Sequence, residues 1–155
     1  MGEQPASANI IDPQALAERV AAAMWSRDRA SQNLGMSVVA MRPGYAELAM
    51  TVREDMLNGH AICHGGFIFS LADSAFAYAC NSYNLVTVAS GCSIDFLAPA
   101  RSGDVLTACA RELSAAGRTG VYDIGVSNAA GAKIAVFRGR SYRLKGHVIT
   151  DEPSS

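Results

Sequence analysis

Between Phe67 and Asn81 the chain has no glycine or proline and is dominated by Ala, Phe and Leu, a composition that predicts a helix apolar around most of its circumference and destined for the interior. Upstream, Asp12-Pro13 offers an N-cap followed by proline at the first helical position, and Leu16, Val20 and Met24 recur every four residues. This predicts a short amphipathic helix running to about Arg29. From Gly35 the period changes to two. Residues 36–41 and 45–52 flank Arg42-Pro43-Gly44, which reads as a β-hairpin. Residues 86–97 put Val86, Val88, Ser90, Cys92, Ile94 and Phe96 on one face and Thr87, Ala89, Gly91, Ser93, Asp95 and Leu97 on the other, with Ser90 the polar exception on the apolar side. Three more strands are expected at about 104–114, 119–128 and 132–144, broken by Ser102-Gly103, Ala116-Gly117 and Ala129-Ala130-Gly131. The last is apolar on both faces from Ile134 to Phe137, as in a central strand or one covered by a partner. The order predicts an α+β fold in which one antiparallel sheet of five to six strands curls around one long apolar helix.

Polar positions sharpen this picture. On the long helix Ser70, Asp73, Ser74 and Asn81 fall near one stripe, and Asp73 is the only formal charge between Asp55 and Asp95. A carboxylate on a buried helix is costly unless it is paired or used, so Asp73 is the first candidate for chemistry. Gly65 and Gly66 stand where the helix begins. Bare N–H groups at the positive end of a helix dipole approach a ligand oxygen closely, which is an oxyanion hole in outline. Seven residues from Gly66 to Asp73 span about 10 Å of helix, too far for both to act on one carbonyl. Two copies running antiparallel about a two-fold axis remove the difficulty, giving a homodimer with shared sites.

Composition adds bounds. With 155 residues and 50% hydrophobic content, the chain is expected to form one domain, with loose tails at about 1–11 and 147–155. A net charge of -1 argues against a general nucleic-acid binder, although Lys133, Arg138, Arg140, Arg143 and Lys145 form a run without acidic residues that suits phosphates as well as a solvated strand end. The four cysteines are widely spaced, and neither a signal peptide nor an 18-residue apolar run is recognisable, so a cytoplasmic protein with reduced thiols and no membrane partner is expected. His60, Cys63 and His64 lack a second ligand pair at zinc spacing, so no metal and no cofactor is expected. Cys63 beside His64 makes a poor nucleophile pair, because adjacent residues rarely aim at one atom.

The string Asn58-Gly59 through His64-Gly65-Gly66 to Leu71-Ala72-Asp73, continued by Phe76–Asn81, Ile94–Pro99 and Phe137-Arg138-Gly139-Arg140, resembles the hot-dog-fold thioesterases, most closely the phenylacetic-acid-degradation (PaaI-type) branch. The resemblance runs from about Leu34 to Leu144. It implies a hot-dog fold and hydrolysis of acyl-coenzyme A thioesters, phenylacetyl or ring-hydroxylated aryl-acyl among them, without metal, in a homotetramer made of two dimers. By position it implies that Asp73 is the catalytic carboxylate, that the Gly65 N–H polarises the thioester carbonyl, and that Asn58 and His64 shape the entrance. The family's polar strand residue falls at or beside Ser90. Asp73 then activates water as a general base or attacks directly, and both routes stay open. Gly66 is a second backbone contact for substrate. Arg118, Thr119 and Arg143, at a turn and a basic strand end, suit the phosphate-bearing tail. Phe67, Phe69, Phe76 and Tyr78 are core residues of which one or two line an acyl pocket. The rival readings are a hot-dog hydratase or dehydratase using His64 and Asp73, which usually needs a proline-framed His loop absent here, and a non-catalytic acyl-coenzyme A-binding protein.

Overall fold

The computed structural model describes residues 11–150. Its order is α1 (Pro13–Trp25), α2 (Arg29–Asn33), β1 (Ser37–Arg42), β2 (Tyr45–Thr51), a 3-10 turn (Glu54–Met56), α3 (Gly65–Asn81), β3 (Leu85–Phe96), β4 (Val105–Ala116), β5 (Thr119–Asn128) and β6 (Lys133–His147). The six strands form one antiparallel sheet in the order β1-β2-β4-β5-β6-β3. This is the expected α+β hot-dog arrangement, with α3 laid across the sheet.

The first helix is shorter than its periodicity suggested. Asp12 caps α1 by accepting from the Ala15 N–H at 3.0 Å, but the helix stops at Trp25 rather than at Arg29. Asp28 instead caps α2, accepting from the Ser31 N–H, and its other oxygen receives the Tyr78 hydroxyl at 3.2 Å. One carboxylate thus starts a new helix and ties it to α3, which a four-residue repeat cannot reveal.

Leu71, Ala72, Ala75, Phe76 and Ala79 of α3 are buried against Leu48, Met50, Leu106, Ala108, Ala110, Tyr122, Ile124, Val126 and Phe137 of the sheet. Burying a side chain such as Phe76 contributes roughly 1.5–3 kcal/mol. Its ring needs Gly139 beneath it, since an ideal Cβ there would stand 2.7 Å from the ring edge. Small residues on helix and strand therefore set how closely α3 approaches β6. Asn81, on the polar stripe, is buried: its Oδ1 accepts from the Thr87 N–H and its Nδ2 donates to the Thr87 and Ala77 carbonyls, pinning the end of α3 to the start of β3.

β3 departs from the simple alternation. Its register with β6 slips between Ala89 and Gly91, with Ser90 as the extra residue of a β-bulge. Before the bulge Val88 pairs with Tyr142 and Ala89 with Ser141; after it Gly91 pairs with Arg140 and Cys92 with Gly139. Paired residues share a face, so Val88 points outward while Cys92, Ile94 and Phe96 point inward with Ala89. The single apolar face expected from Val86 to Phe96 is thus split, because one extra residue exchanges the faces of everything beyond it. β6 lies between β5 and β3 as a central strand, and β3 is an edge whose far side has no strand partner among the described residues.

The expected loose tails lie mostly outside the described residues. At the inner edge of the second, His147 Nδ1 is 2.9 Å from the Asn84 carbonyl oxygen, and the Asn84 amide clamps both backbone groups of Ile149.

Candidate active site

The loop that delivers α3 is built by Asn58. Its Oδ1 accepts from the His60 and Ile62 N–H groups, at 2.9 and 3.4 Å, and its N–H donates to the Ile62 carbonyl, closing a turn tight enough to hold Ala61 at a positive φ of 57°. The Nδ2 of Asn58 has no acceptor among the described residues. The His64 N–H then donates to the Met56 carbonyl and the Cys63 N–H to the Ala100 carbonyl, fixing the chain where the helix starts.

His64 is the N-cap of α3, and its Nδ1 accepts from the Gly66 N–H at 3.0 Å. The bond places the ring proton on Nε2. Gly66, expected as a second bare donor, is therefore spent inside the chain. The Gly65 N–H is not: it has no acceptor among the described residues and borders a groove of about 520 Å³ lined by Asn58, Ile62, Cys63, Gly65, Ile68 and residues 96–100. Each glycine marks the footprint of a ring. A Cβ on Gly66 would meet His64 Nδ1 at 3.1 Å, and one on Gly65 would meet Cζ of Phe96 at 2.8 Å. An unspent N–H at a helix start can stabilise charge that develops on a carbonyl oxygen.

On the polar stripe of α3, Ser70 Oγ donates back to the Gly66 carbonyl, Ser74 Oγ pairs with Ser31 Oγ at 3.0 Å, and Asn81 is spent on Thr87. Asp73, the carboxylate of this stripe, has no hydrogen bond or ion pair among the described residues. It is half-buried, and burial raises its pKa above the ordinary 3.8. Two thiols sense its charge. Cys80 is pushed up to about 12, chiefly by burial, and Cys92 is pushed up by burial, with the Asp73 charge adding to both. A partly desolvated, unpaired carboxylate can accept a proton or attack a carbonyl. Burial also pushes the Cys63 thiol up, making its thiolate scarcer. Among the described residues no three His, Cys, Asp or Glu side chains, His60, Cys63 and His64 included, converge into a group that could hold a metal ion.

The remaining sequence candidates lie elsewhere. Ser90 is exposed on the bulge and donates to the Arg140 carbonyl at 3.1 Å. Arg118, Thr119 and Arg143 are brought together at the far end of α3, around a small pocket of about 70 Å³ with Cys80, Tyr83 and Tyr122, where the Arg143 N–H donates to the Arg118 carbonyl. Cys80 is fifteen residues along the helix from Gly65, about 22 Å, so one chain does not gather these cations with the Gly65 N–H. Of the basic run, Arg138 is taken by a bidentate pair with Asp123 at 2.7 and 2.9 Å. Phe96, seated on Gly65, went unnoticed as a site residue; its only signal was its place in the Ile94–Pro99 string.

A thioesterase superfamily model matches residues 60–135. The acyl-coenzyme A thioesterase PaaI of Escherichia coli K12 is 50% identical over 126 residues, which cover 81% of this chain and 90% of that protein. The solved structure of E. coli PaaI from the phenylacetic acid degradation operon matches with a TM-score of 0.87 at 48% identity, covering 88% of this chain and 99% of that one. A hypothetical thioesterase of Streptococcus pneumoniae TIGR4, solved with coenzyme A, matches with a TM-score of 0.69 at 25% identity, over 72% of this chain and 90% of that one. With half of the aligned residues identical across nearly the full length of such a relative, and the same fold, the chain belongs to the PaaI branch of the thioesterase superfamily and is a thioester hydrolase.

Proposed function

We propose that this chain hydrolyses acyl-coenzyme A thioesters, with phenylacetyl or ring-hydroxylated aryl-acyl groups as the preferred class, in a homodimer whose two sites are each shared between subunits. The observation that carries this reading is a pair of unspent groups on one helix. The Gly65 N–H and the Asp73 carboxylate of α3 both lack partners among the described residues, yet eight residues separate them, about 12 Å of axis. Reacting groups must approach to about 3–3.5 Å. A second α3 antiparallel to the first offers its Asp73 to this Gly65 and receives this Asp73 at its own Gly65. The open edge of the twelve-residue β3 supports the same symmetry, since an exposed edge of that length invites pairing with a second copy. Two such dimers would make the homotetramer that the family resemblance suggests, in the cytoplasm.

At such a site the thioester carbonyl oxygen accepts from the Gly65 N–H. Asp73 removes a proton from water as the water oxygen bonds to the carbonyl carbon, and negative charge collects on the oxygen held by Gly65. Collapse breaks the C–S bond, and the thiolate of coenzyme A leaves and takes up the proton. If Asp73 attacks instead, a mixed anhydride forms, the thiolate leaves, and water then opens the anhydride. Asn58 holds the loop and offers its Nδ2 to the same groove; His64 holds Gly66. Arg118, Thr119 and Arg143 suit the phosphates of the tail, with Ser90 a further polar contact at the dimer edge. The S. pneumoniae relative solved with coenzyme A supports the carrier. No specific observation in the site favours the hydratase reading.

The test is a hydrolysis assay over aryl- and alkyl-coenzyme A thioesters with wild type and Asp73→Asn. Wild type should release coenzyme A, and Asp73→Asn should lose nearly all kcat while binding thioester within about tenfold of wild type. Turnover of more than a few per cent in Asp73→Asn would remove Asp73 from the mechanism. Tight binding with no wild-type turnover would leave an acyl-coenzyme A-binding protein.

A further inference from the structure

The ring of Phe96 ends β3 in an unusual position. It is 52% exposed, yet its Cζ, Cε1 and Cε2 edge lies 2.8–3.3 Å from where a Cβ on Gly65 would be. An aromatic side chain left in solvent ordinarily gains by folding onto apolar surface. Here it is laid instead on the backbone of Gly65, whose N–H has no acceptor among the described residues and which lines the groove. Beside it Leu97 is 54% exposed, and Ile62, Ile68 and Pro99 complete the wall. A molecule whose carbonyl oxygen accepts from the Gly65 N–H would share its groove with the Phe96 ring.

The groove lining indicates which substituent. It contains no charged side chain, and Asn58 is its only amide side chain, so it offers little to a pantetheine arm that carries amides and ends in phosphates. It offers apolar wall and an aromatic edge to a hydrocarbon or aryl group, and rings pack edge-to-face with centroids about 4.5–7 Å apart. Resting on the thioesterase reading above, we propose that Phe96 is a specificity-determining residue: its ring is the wall that limits the size of the acyl group bound next to the Gly65 N–H. The absence of a side chain at Gly65 then has an internal cause as well, because the ring occupies the space a Cβ would need.

The experiment compares wild type, Phe96→Ala, Phe96→Leu and Phe96→Trp on phenylacetyl-, 2-naphthylacetyl- and acetyl-coenzyme A, reading kcat/KM for each and inhibition by free coenzyme A. Opening the wall should raise the naphthylacetyl to phenylacetyl ratio by about tenfold or more in Phe96→Ala, in line with what a few methylenes of pocket space are worth. Phe96→Leu should fall between it and wild type. Phe96→Trp should shift preference the other way, toward acetyl, so a poorly folding Phe96→Ala leaves the opposite prediction standing. Inhibition by coenzyme A should stay as in wild type throughout. Equal acyl ratios in all four proteins overturn the proposal. So does a uniform rise in KM accompanied by weaker coenzyme A inhibition, which would place Phe96 along the pantetheine arm. A wild type inactive on every thioester would refute the hydrolase reading itself, a result distinct from an active enzyme with unmoved ratios.

Discussion

The imidazole of His64 and the backbone of Gly66 form a closed pair: Nδ1 accepts the N–H at 3.0 Å, and the ring covers the space a Cβ on Gly66 would fill. One of the two N–H groups at the head of α3 is thereby silenced and its neighbour, on Gly65, stays free. The pairing gives His64 a structural role at the helix start and leaves its Nε2 without a partner among the described residues.

If that is its role, His64→Ala should lose a cap worth about 0.5–2 kcal/mol, lowering the thermal midpoint and weakening kcat/KM through a frayed first turn. His64→Asn, whose side chain is a good cap, should recover most of both. A His64 acting in proton transfer would show the opposite pattern, with Asn as damaging as Ala and losses of about a hundredfold or more. Thermal unfolding and steady-state kinetics on the two variants distinguish the cases.

Asp73 carries a stability cost with a definite pH signature. Burial raises its folded-state pKa above the ordinary 3.8, so the ionised form is penalised in the fold. A carboxyl of this kind contributes stability below its unfolded pKa, and that contribution is lost as pH rises through the elevated folded value. Asp73→Asn should therefore unfold at a higher temperature than wild type at pH 7, and the gap should close as pH falls below about 4. As pH rises through the elevated folded value, the wild-type kcat/KM should rise along a limb displaced above the ordinary carboxyl range. A variant no more stable than wild type at pH 7 would mean that Asp73 is compensated in the assembled protein.

The elements were legible because their periods were clean: α3 has no breaker after Gly66, the β1–β2 hairpin is announced by Pro43-Gly44, and β6 is apolar on both faces near Phe137. Asp73 stood out by being the only charge in a long neutral stretch, and the fold adds that it is also the one polar group on its stripe without a partner. What stayed hidden depends on contacts between distant residues. The bulge shows in the pattern of period two only as the polar exception Ser90, since Val88 and Cys92 are both apolar and yet face opposite ways. Asn81 falls on the polar stripe, and nothing in the local sequence shows that Thr87 comes round to satisfy it. Gly65 and Gly66 suggested two equivalent donors, and only the rings of Phe96 and His64, one from 31 residues away in the chain and one from next door, make them different.

The shared site makes the most exposed claim, and it can be tested by mixing two dead proteins. Asp73→Ala removes the carboxylate. Gly65→Pro removes the donor N–H at the first helical position, where proline is well tolerated, and His64 already has φ -61° and ψ 132°, the conformation a residue before proline prefers. The proline ring will press on Phe96, whose half-exposed side chain can swing into solvent. Each variant alone should be inactive. After random reassortment half the dimers are mixed, and in each mixed dimer one site pairs an intact Gly65 with an intact Asp73 while the other has lost both. Roughly a quarter of wild-type activity should therefore return. Circular dichroism on each variant and recovery of doubly tagged dimers establish that the partners fold and exchange. With mixed dimers in hand and no activity regained, both groups would have to act within one subunit, against the helical spacing that separates them.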